Sequence, residues 1–107
     1  MKEAQELKIK QITQWLKDNI RPSKLYLYGS RASSSATANS DYDFVALVPD
    51  FNGNRINEQF AIQETLRKLL DVEVQVWIYS QDEFNFRITD FNSIPETAVN
   101  TGREIEL

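Results

Sequence analysis

Helical segments alternate with short strand-like segments along the 107 residues, and this order limits the fold more than any other feature. Residues 2–20 carry apolar side chains at three- and four-residue spacing, which predicts an amphipathic helix. Residues 25–28, 44–48 and 72–79 are rich in β-branched and aromatic side chains, which predicts strands. A second helical stretch covers residues 55–70. Strands separated by helices predict an α/β (α+β) fold, in which helices pack on a single mixed β-sheet.

The same patterns predict core positions and the later elements. In the third strand, alternate residues share one apolar face, namely Val72, Val74, Val76 and Ile78. In the second helix, we expect four apolar side chains to point inward, namely Ile56, Phe60, Leu66 and Leu70. Ser80 is expected to cap a third helix. Residues 95–100 predict a short helix that ends at Gly102, and the tail over 103–107 is expected to be extended.

Neither cysteine nor histidine occurs in the sequence. Disulfides, cysteine-based zinc sites and Ser-His-Asp catalysis are therefore excluded. A bound metal must be held by oxygen atoms, which favours Mg²⁺, Mn²⁺ or Ca²⁺ over zinc or copper. The length predicts one domain, residues 1–107.

The net charge is −4, from 12 Lys and Arg against 16 Asp and Glu. Because nucleic-acid phosphates need a basic surface, we expect no general binding of nucleic acid. Residues 1–10 are charged and show no signal-peptide pattern. No segment approaches the ~20 apolar residues that span a bilayer. We therefore expect a cytoplasmic protein with no membrane partner, which meets phosphates only at a local site or through a metal.

Gly29-Ser30 follows the first strand, where a glycine lets the backbone turn sharply and approach a ligand closely. Backbone N–H groups at the start of a helical turn, together with a serine hydroxyl, can hold phosphate oxygens. Arg31 has two interpretations that remain open. It either adds a charged fork to the phosphate site or is a buried arginine that pins the Ser-rich residues 30–40.

Asp41 and Asp43 are two residues apart at the start of the second strand, so both carboxylates lie on one face, ~6–7 Å apart along the chain. Two converging carboxylates repel one another, and a hard divalent cation removes that cost while bridging to phosphates. Two such ions are a known device for in-line attack on phosphorus. An Asp-x-Asp pair alone is common in surface turns, so the joint pattern with Gly29-Ser30 carries the prediction.

Gly29-Ser30, ten further residues and then Asp41-Tyr42-Asp43 resemble the signature of the minimal nucleotidyltransferases of the polymerase-beta superfamily. The resemblance extends over nearly the whole chain. It implies that Gly29 and Ser30, with Arg31 matching the pattern, bind a nucleoside triphosphate such as ATP. It further implies that Asp41 and Asp43 hold Mg²⁺, with Mn²⁺ as an alternative, and that residues 30–40 form an ordered loop around the ligand.

One position departs from the family pattern. Family members carry a third carboxylate on the next core strand, where it completes the metal site and helps to deprotonate the attacking hydroxyl. The matching position here is Gln75, whose amide has no negative charge and cannot act as a base. Glu73 lies two residues earlier on the same face and is a candidate substitute in catalysis. Both side chains can equally be solvent-facing residues of a half-exposed strand.

The resemblance leads to a function with named alternatives. The leading hypothesis is a nucleotidyltransferase that transfers AMP from ATP to a hydroxyl acceptor, as the antitoxin of a pair whose toxin is a separate helical HEPN-type protein. The second is a catalytically impaired module that binds nucleotide or neutralises its partner, because of Gln75. The third is a structural subunit without a ligand. The acceptor, the nucleotide base and the oligomeric state, including a homo-oligomer, stay open.

Overall fold

The computed structural model describes residues 2–32, 36 and 40–107. Within these residues there are four α-helices: α1 (Lys2–Asn19), α2 (Arg55–Leu70), α3 (Gln81–Arg87) and α4 (Ile94–Thr101). The strands are β1 (Lys24–Tyr28), β2 (Tyr42–Leu47), β3 (Val74–Tyr79) and β4 (Arg103–Ile105). A short 3₁₀ turn, Gly29–Arg31, follows β1. None of the helices in this part of the chain is long and apolar enough to cross a membrane.

The four strands form one mixed sheet in the order β3-β2-β1-β4. β1 is antiparallel to both β2 and β4, whereas β2 is parallel to β3. A parallel pair needs a crossover connection, and α2 provides it. The predicted mixed sheet with helices packed on it is confirmed. The tail was predicted only to be extended. In the structure its first three residues, Arg103–Ile105, also pair with β1 and form an edge strand.

The helices cover both faces of the sheet. α1 and α2 pack on the face that carries Phe44, Ala46 and the valines of β3 at positions 74 and 76. α3 and α4 pack on the opposite face, where Val45 lies among aromatic side chains. The alternation predicted for the third strand is therefore confirmed.

Side-chain caps define where the helices after β2 begin. The side chain of Asn54 accepts a hydrogen bond from the backbone N–H of Asn57 and starts α2. The hydroxyl of Ser80 accepts one from the N–H of Glu83, and the Glu83 carboxylate accepts one from the Ser80 N–H, so the predicted cap is a complete capping box. Arg55 forms an ion pair with Glu83 and thereby links the starts of α2 and α3.

The prediction of the buried stripe of α2 is wrong at two positions. Ile62 and Leu66 face the sheet and are buried, whereas Ile56 and Phe60 remain 63% and 66% exposed. At about 100° per residue, Phe60 lies roughly 160° around the helix from Ile62, so both cannot face the sheet. Leu70, at the end of the helix, is half-buried. The predicted loop over residues 30–40 falls largely outside the described residues, which omit 33–35 and 37–39.

Candidate active site

In the turn after β1, the backbone of Gly29 packs against the side-chain carboxylate of Asp43. Gly29 has a φ of 76°, in the left-handed region that glycine adopts without strain. A Cβ atom placed on Gly29 would lie 2.9 Å from Oδ2 of Asp43. The glycine is therefore needed twice, for the backbone angle and for the approach of the carboxylate. Ser30 follows as the second residue of the 3₁₀ turn and is half-buried.

The two aspartates lie at the start of β2. Asp41 is exposed and Asp43 is half-buried. Asp43 pairs with Tyr28 across the antiparallel β1–β2 ladder and with Gln75 across the parallel β2–β3 ladder. Directly paired residues share a face of the sheet, so the Asp43 carboxylate and the Gln75 amide lie on the same face. The structure thus brings together Gly29, Asp43 and Gln75.

The electrostatics at this point are unfavourable without a cation. Burial raises the pKa of the Asp43 carboxyl above its usual range, and the negative charge of Asp41 raises it further. Burial also raises the pKa of the Tyr28 hydroxyl, with a further contribution from the charge of Asp43. Negative charge is therefore concentrated around Asp43, as expected of a site that receives a cation.

Arg31 is buried and organises the return of the chain into β2. Its guanidinium donates hydrogen bonds from Nε and Nη2 to the carbonyl oxygen of Ser40, at 3.1 and 2.8 Å. It also donates to the side-chain oxygen of Gln5 at 3.1 Å and lies over the Tyr42 ring, 4.3 Å from its centroid. Ser40 immediately precedes Asp41, so these bonds position the first aspartate. These contacts fit the interpretation of Arg31 as a pinning residue, and its contact with phosphate stays a prediction.

Glu73 lies just before β3 and has another partner. Its carboxylate accepts two hydrogen bonds from Arg67 of α2, at 2.8 and 3.0 Å. These bonds lower the pKa of Glu73, which therefore stays ionised at neutral pH. The predicted substitute for the third carboxylate is thus held on the α2 side. The residue that the register places beside Asp43 is Gln75.

The comparison with known families decides what this arrangement belongs to. Residues 10–94 match the family described as polymerase beta, nucleotidyltransferase. The chain belongs to the polymerase beta nucleotidyltransferase family. The predicted resemblance is confirmed, since the match includes the turn at Gly29 and both aspartates.

Solved structures with the nucleotidyltransferase fold resemble the chain at low sequence identity. One is described as the toxin–antitoxin MntA-HepT: it is 22% identical, with 92% of this chain and 69% of that chain covered and a TM-score of 0.61. Another is described as a toxin–antitoxin with AMP-PNP: it is 24% identical, with 92% and 70% covered and a TM-score of 0.64. These likenesses show the shared fold. No curated protein matches the sequence.

At this candidate site, the oxygen donors fit a hard divalent cation. Asp41 and Asp43 are acidic oxygen ligands whose mutual repulsion a cation would relieve, and the Gln75 amide offers a neutral oxygen. In the part of the chain that the structure describes, no group of three or more acidic, histidine or cysteine side chains is arranged as a metal site. The protein would therefore supply few ligands, and phosphate oxygens and water would complete the shell, as is usual for Mg²⁺.

Two features of the candidate site were not predicted from the sequence. Tyr28 ends β1 opposite Asp43 and extends the polar surface next to the carboxylate. The alternation of residues 25–28 carries a signal for it, since every second residue shares a face. Arg67, which holds Glu73, lies six residues away in another element, and no local sequence pattern predicts that contact.

Proposed function

We propose that this protein transfers a nucleoside monophosphate, AMP from ATP, to a hydroxyl of an acceptor. The observation that carries the proposal is the packing of the Asp43 carboxylate against the bare Cα of Gly29, where burial and the charge of Asp41 raise the pKa of Asp43. A backbone turn able to hold phosphate and a repelling acidic pair able to hold a cation meet at one point. Membership of the nucleotidyltransferase family supports the same activity.

The residues have separate roles in this proposal. Asp41 and Asp43 would hold Mg²⁺ or Mn²⁺, which when bound neutralises negative charge on the phosphate oxygens. Gly29 and Ser30 would orient the triphosphate through backbone N–H groups and the hydroxyl. The acceptor oxygen attacks the α-phosphorus, a new O–P bond forms, and pyrophosphate leaves with the electrons of the broken bond. The hydroxyl proton passes to water, since the Gln75 amide cannot accept it.

The partner belongs to the proposal as well. A structure described as the toxin–antitoxin MntA-HepT shares the fold, and so does another that is described as a toxin–antitoxin with AMP-PNP. We infer that this protein acts as the antitoxin of an equivalent pair and that its partner is a separate helical HEPN-type protein. A cytoplasmic location goes with this proposal, because ATP is the substrate.

A second candidate is favoured by one observation. The position beside Asp43 holds Gln75, an uncharged side chain, and Glu73 is held by Arg67. A site of this kind can bind the metal–nucleotide complex while transferring slowly or not at all. The protein would then bind nucleotide or neutralise its partner without chemistry. Binding of ATP without transfer of label separates this candidate from the enzyme.

Calorimetric titration of ATP, first with Mg²⁺ and then with EDTA, tests the site directly. We expect binding that requires Mg²⁺ and is lost in the Asp41→Asn/Asp43→Asn double variant, because the two carboxylates hold the cation. The matched control is Asp50→Asn/Asp82→Asn, which removes the same charge at two exposed positions away from the site. It should bind as the parent does.

Two results of this titration would contradict the proposed metal site. Equal losses in both double variants would mean that net charge, and not the Asp41–Asp43 pair, controls binding. Binding that persists in EDTA would remove the metal from the proposal. Transfer of label from α-labelled ATP to a HEPN-type partner then decides between the enzyme and the binding module.

A further inference from the structure

A second cavity lies at the end of the sheet that is remote from the acidic pair. The start of α2, the end of β3 and residues 87–95 around the α3–α4 connection bound it, and its volume is about 360 Å³. Tyr79 lines this cavity and lies four residues along β3 from Gln75, about 13 Å at the usual rise per residue. The volume is in the range of small-molecule sites. The cavity is therefore separate from the candidate active site.

The charge of the cavity lining differs from that of the chain. The lining includes two arginines, Arg55 and Arg87, and one carboxylate, Asp90. The whole chain, by contrast, has a net charge of −4. Because a concave surface concentrates the field of the charges that line it, this local excess of positive charge favours an anionic ligand.

Arg55 is held in one orientation by three contacts. Its Nε donates a hydrogen bond to the carbonyl oxygen of Ile78 at 2.7 Å, and its Nη2 bonds to the carboxylate of Glu83. The guanidinium also lies over the Tyr79 ring, 5.0 Å from its centroid. Among the described residues, Nη1 has no hydrogen-bond partner. A fixed guanidinium with free N–H groups is a preorganised donor for an oxyanion.

Arg87 and Tyr79 supply further donors to the same cavity. Nη1 of Arg87 donates to Asp90 at 3.3 Å, whereas its Nε and Nη2 have no partner in the described part of the chain. Tyr79 is only 8% exposed, and its hydroxyl likewise has no hydrogen-bond partner among those residues. Burial raises the pKa of this hydroxyl, while the charges of Arg55 and Arg87 act in the opposite direction. The hydroxyl therefore lies near both guanidinium groups.

We propose that this cavity binds the phosphate group of a small phosphorylated compound, with free N–H groups of Arg55 and Arg87 and the hydroxyl of Tyr79 as donors. The planar guanidinium matches the spacing of phosphate oxygens, and two of them approach one phosphate from different elements. The arginines supply the positive charge, so binding needs no metal ion. This inference does not depend on the proposed transfer of AMP.

The phosphate group has two possible sources, namely a nucleotide and free inorganic phosphate. Phe91 lines the cavity beside the arginines and is 81% exposed, and the apolar side chains of Ile94 and Pro95 continue this wall. Nucleobases stack on exposed aromatic rings of this kind. AMP can therefore use both parts of the cavity, whereas inorganic phosphate can use only the donors.

Calorimetric titration of the intact chain in EDTA tests the cavity with three probes: AMP, inorganic phosphate and adenosine. We expect AMP to bind about tenfold more tightly than inorganic phosphate, because stacking on Phe91 adds to the phosphate contacts. Adenosine lacks the phosphate and should not bind detectably. AMP binding should persist in the Asp41→Asn/Asp43→Asn double variant, because the acidic pair lies at the other end of the sheet.

Tyr79→Phe tests the hydroxyl without disturbing other contacts. The substitution removes one oxygen atom that bonds to no described residue, so the free energy of unfolding should not fall. The affinity for AMP should fall about tenfold or more, the usual effect of losing a hydrogen bond to a charged group. The matched control is Tyr26→Phe, a tyrosine on the same face that is 6% exposed and lies near Glu104 instead of the arginines. It should bind AMP as the parent does.

Arg87→Gln tests the charge in the same titration. Its affinity for AMP should also fall about tenfold or more, because charged donors form the stronger hydrogen bonds. The matched control is Arg103→Gln, which removes the same charge from another ion-paired arginine of similar exposure. Equal losses in these two variants would mean that net charge, and not the cavity, controls binding.

Further results would overturn the proposal. Unchanged affinity for AMP in both Tyr79→Phe and Arg87→Gln would do so, as would adenosine binding as tightly as AMP. Loss of AMP binding in Asp41→Asn/Asp43→Asn alone would place AMP at the candidate active site and remove it from this cavity. Equal binding of AMP and inorganic phosphate would support the phosphate site and assign its source to free phosphate.

The same variants separate this inference from the proposed function. If ATP binds in EDTA and this binding is lost in Arg87→Gln, the metal-free binding belongs to the cavity, and the metal requirement of the candidate active site stands. If metal-free binding of ATP is unchanged in Arg87→Gln, this cavity does not bind the nucleotide phosphate, and the metal requirement fails.

Discussion

Gln75 shows how one side chain can set the chemistry of a site whose frame is otherwise complete. The register places it beside Asp43, on the same face of the sheet. A glutamine and a glutamate have nearly the same size, but only the glutamate can balance a cation or accept a proton at neutral pH. With Gln75 at this position, the candidate site carries one unit of negative charge less than it would with a glutamate there.

Restoring that charge is the first prediction. Gln75→Glu should raise Mg²⁺-dependent transfer of AMP about 100-fold or more, the lower end of what a positioned general base contributes. The measurement is the initial rate of label transfer from ATP at saturating Mg²⁺. The variant should also bind Mg²⁺ more tightly, because three carboxylates then surround the ion.

Glu73→Ala in the same assay tests the alternative base. We expect no change in transfer, because Arg67 holds the Glu73 carboxylate through two hydrogen bonds. A large loss in Glu73→Ala, with no gain in Gln75→Glu, would mean that Glu73 leaves Arg67 and acts in catalysis. In that event the role assigned to the third position would pass to Glu73.

At the scale of elements, the connection between α4 and β4 requires a glycine at position 102, which has no side chain. A Cβ atom on Gly102 would lie 2.5 Å from the carbonyl oxygen of Ala98 and 2.6 Å from that of Leu27. Both contacts are with backbone, which cannot move aside as a flexible side chain would. The glycine thus lets the chain leave α4 and pair immediately with β1 opposite Leu27, next to the end of β1 that leads into the Gly29 turn.

Gly102→Ala should therefore lower the free energy of unfolding by about 1–3 kcal/mol, the usual cost of forcing extra atoms into a packed site. Urea unfolding followed by circular dichroism measures it. The control is Gly53→Ala, where the nearest atom would be a ring carbon of Phe51 at an ordinary 3.4 Å. Equal stability of the two variants would show that the α4–β4 joint relaxes without cost.

At the scale of the whole molecule, the half-buried carboxyl group of Asp43 lowers the free energy of unfolding once it ionises. Burial and Asp41 raise the pKa of Asp43 in the folded chain above its value in the unfolded chain. The folded state then binds a proton more readily, so stability falls as the pH rises from about 4 through the raised pKa. Without a cation, ionisation of Asp43 therefore lowers the stability of the folded state.

Asp43→Asn should consequently be more stable than the parent at pH 7 in EDTA, and this advantage should vanish at low pH, where Asp43 is protonated in both states. Unfolding in urea across that pH range measures the difference. Mg²⁺ with ATP should reverse the order, since a ligand at about 100 times its Kd adds about 2.7 kcal/mol to the parent alone. A variant less stable than the parent at pH 7 in EDTA would show that Asp43 supports the fold.

The sequence by itself determined the elements and the positions of the candidate site residues along the chain. Helical and strand periodicities, the glycine turn at 29 and the spacing to Asp41 and Asp43 are local patterns, and short-range sterics and alternation act within a few residues. The family could therefore be predicted before the fold was known. The orientation of α2 could not be predicted in this way. The apolar side chains of Ile56 and Phe60 resemble core residues until the helix is placed against the sheet, where both remain exposed.

The tertiary structure alone decided the contacts between segments distant in the chain. It placed Gln75 beside Asp43 and brought the Glu73 carboxylate into hydrogen-bond contact with Arg67. These outcomes depend on strand register and on the rotation of a helix, which the packing of the whole core selects. The same apolar and polar patterns are compatible with more than one such arrangement until the two faces of the sheet are filled.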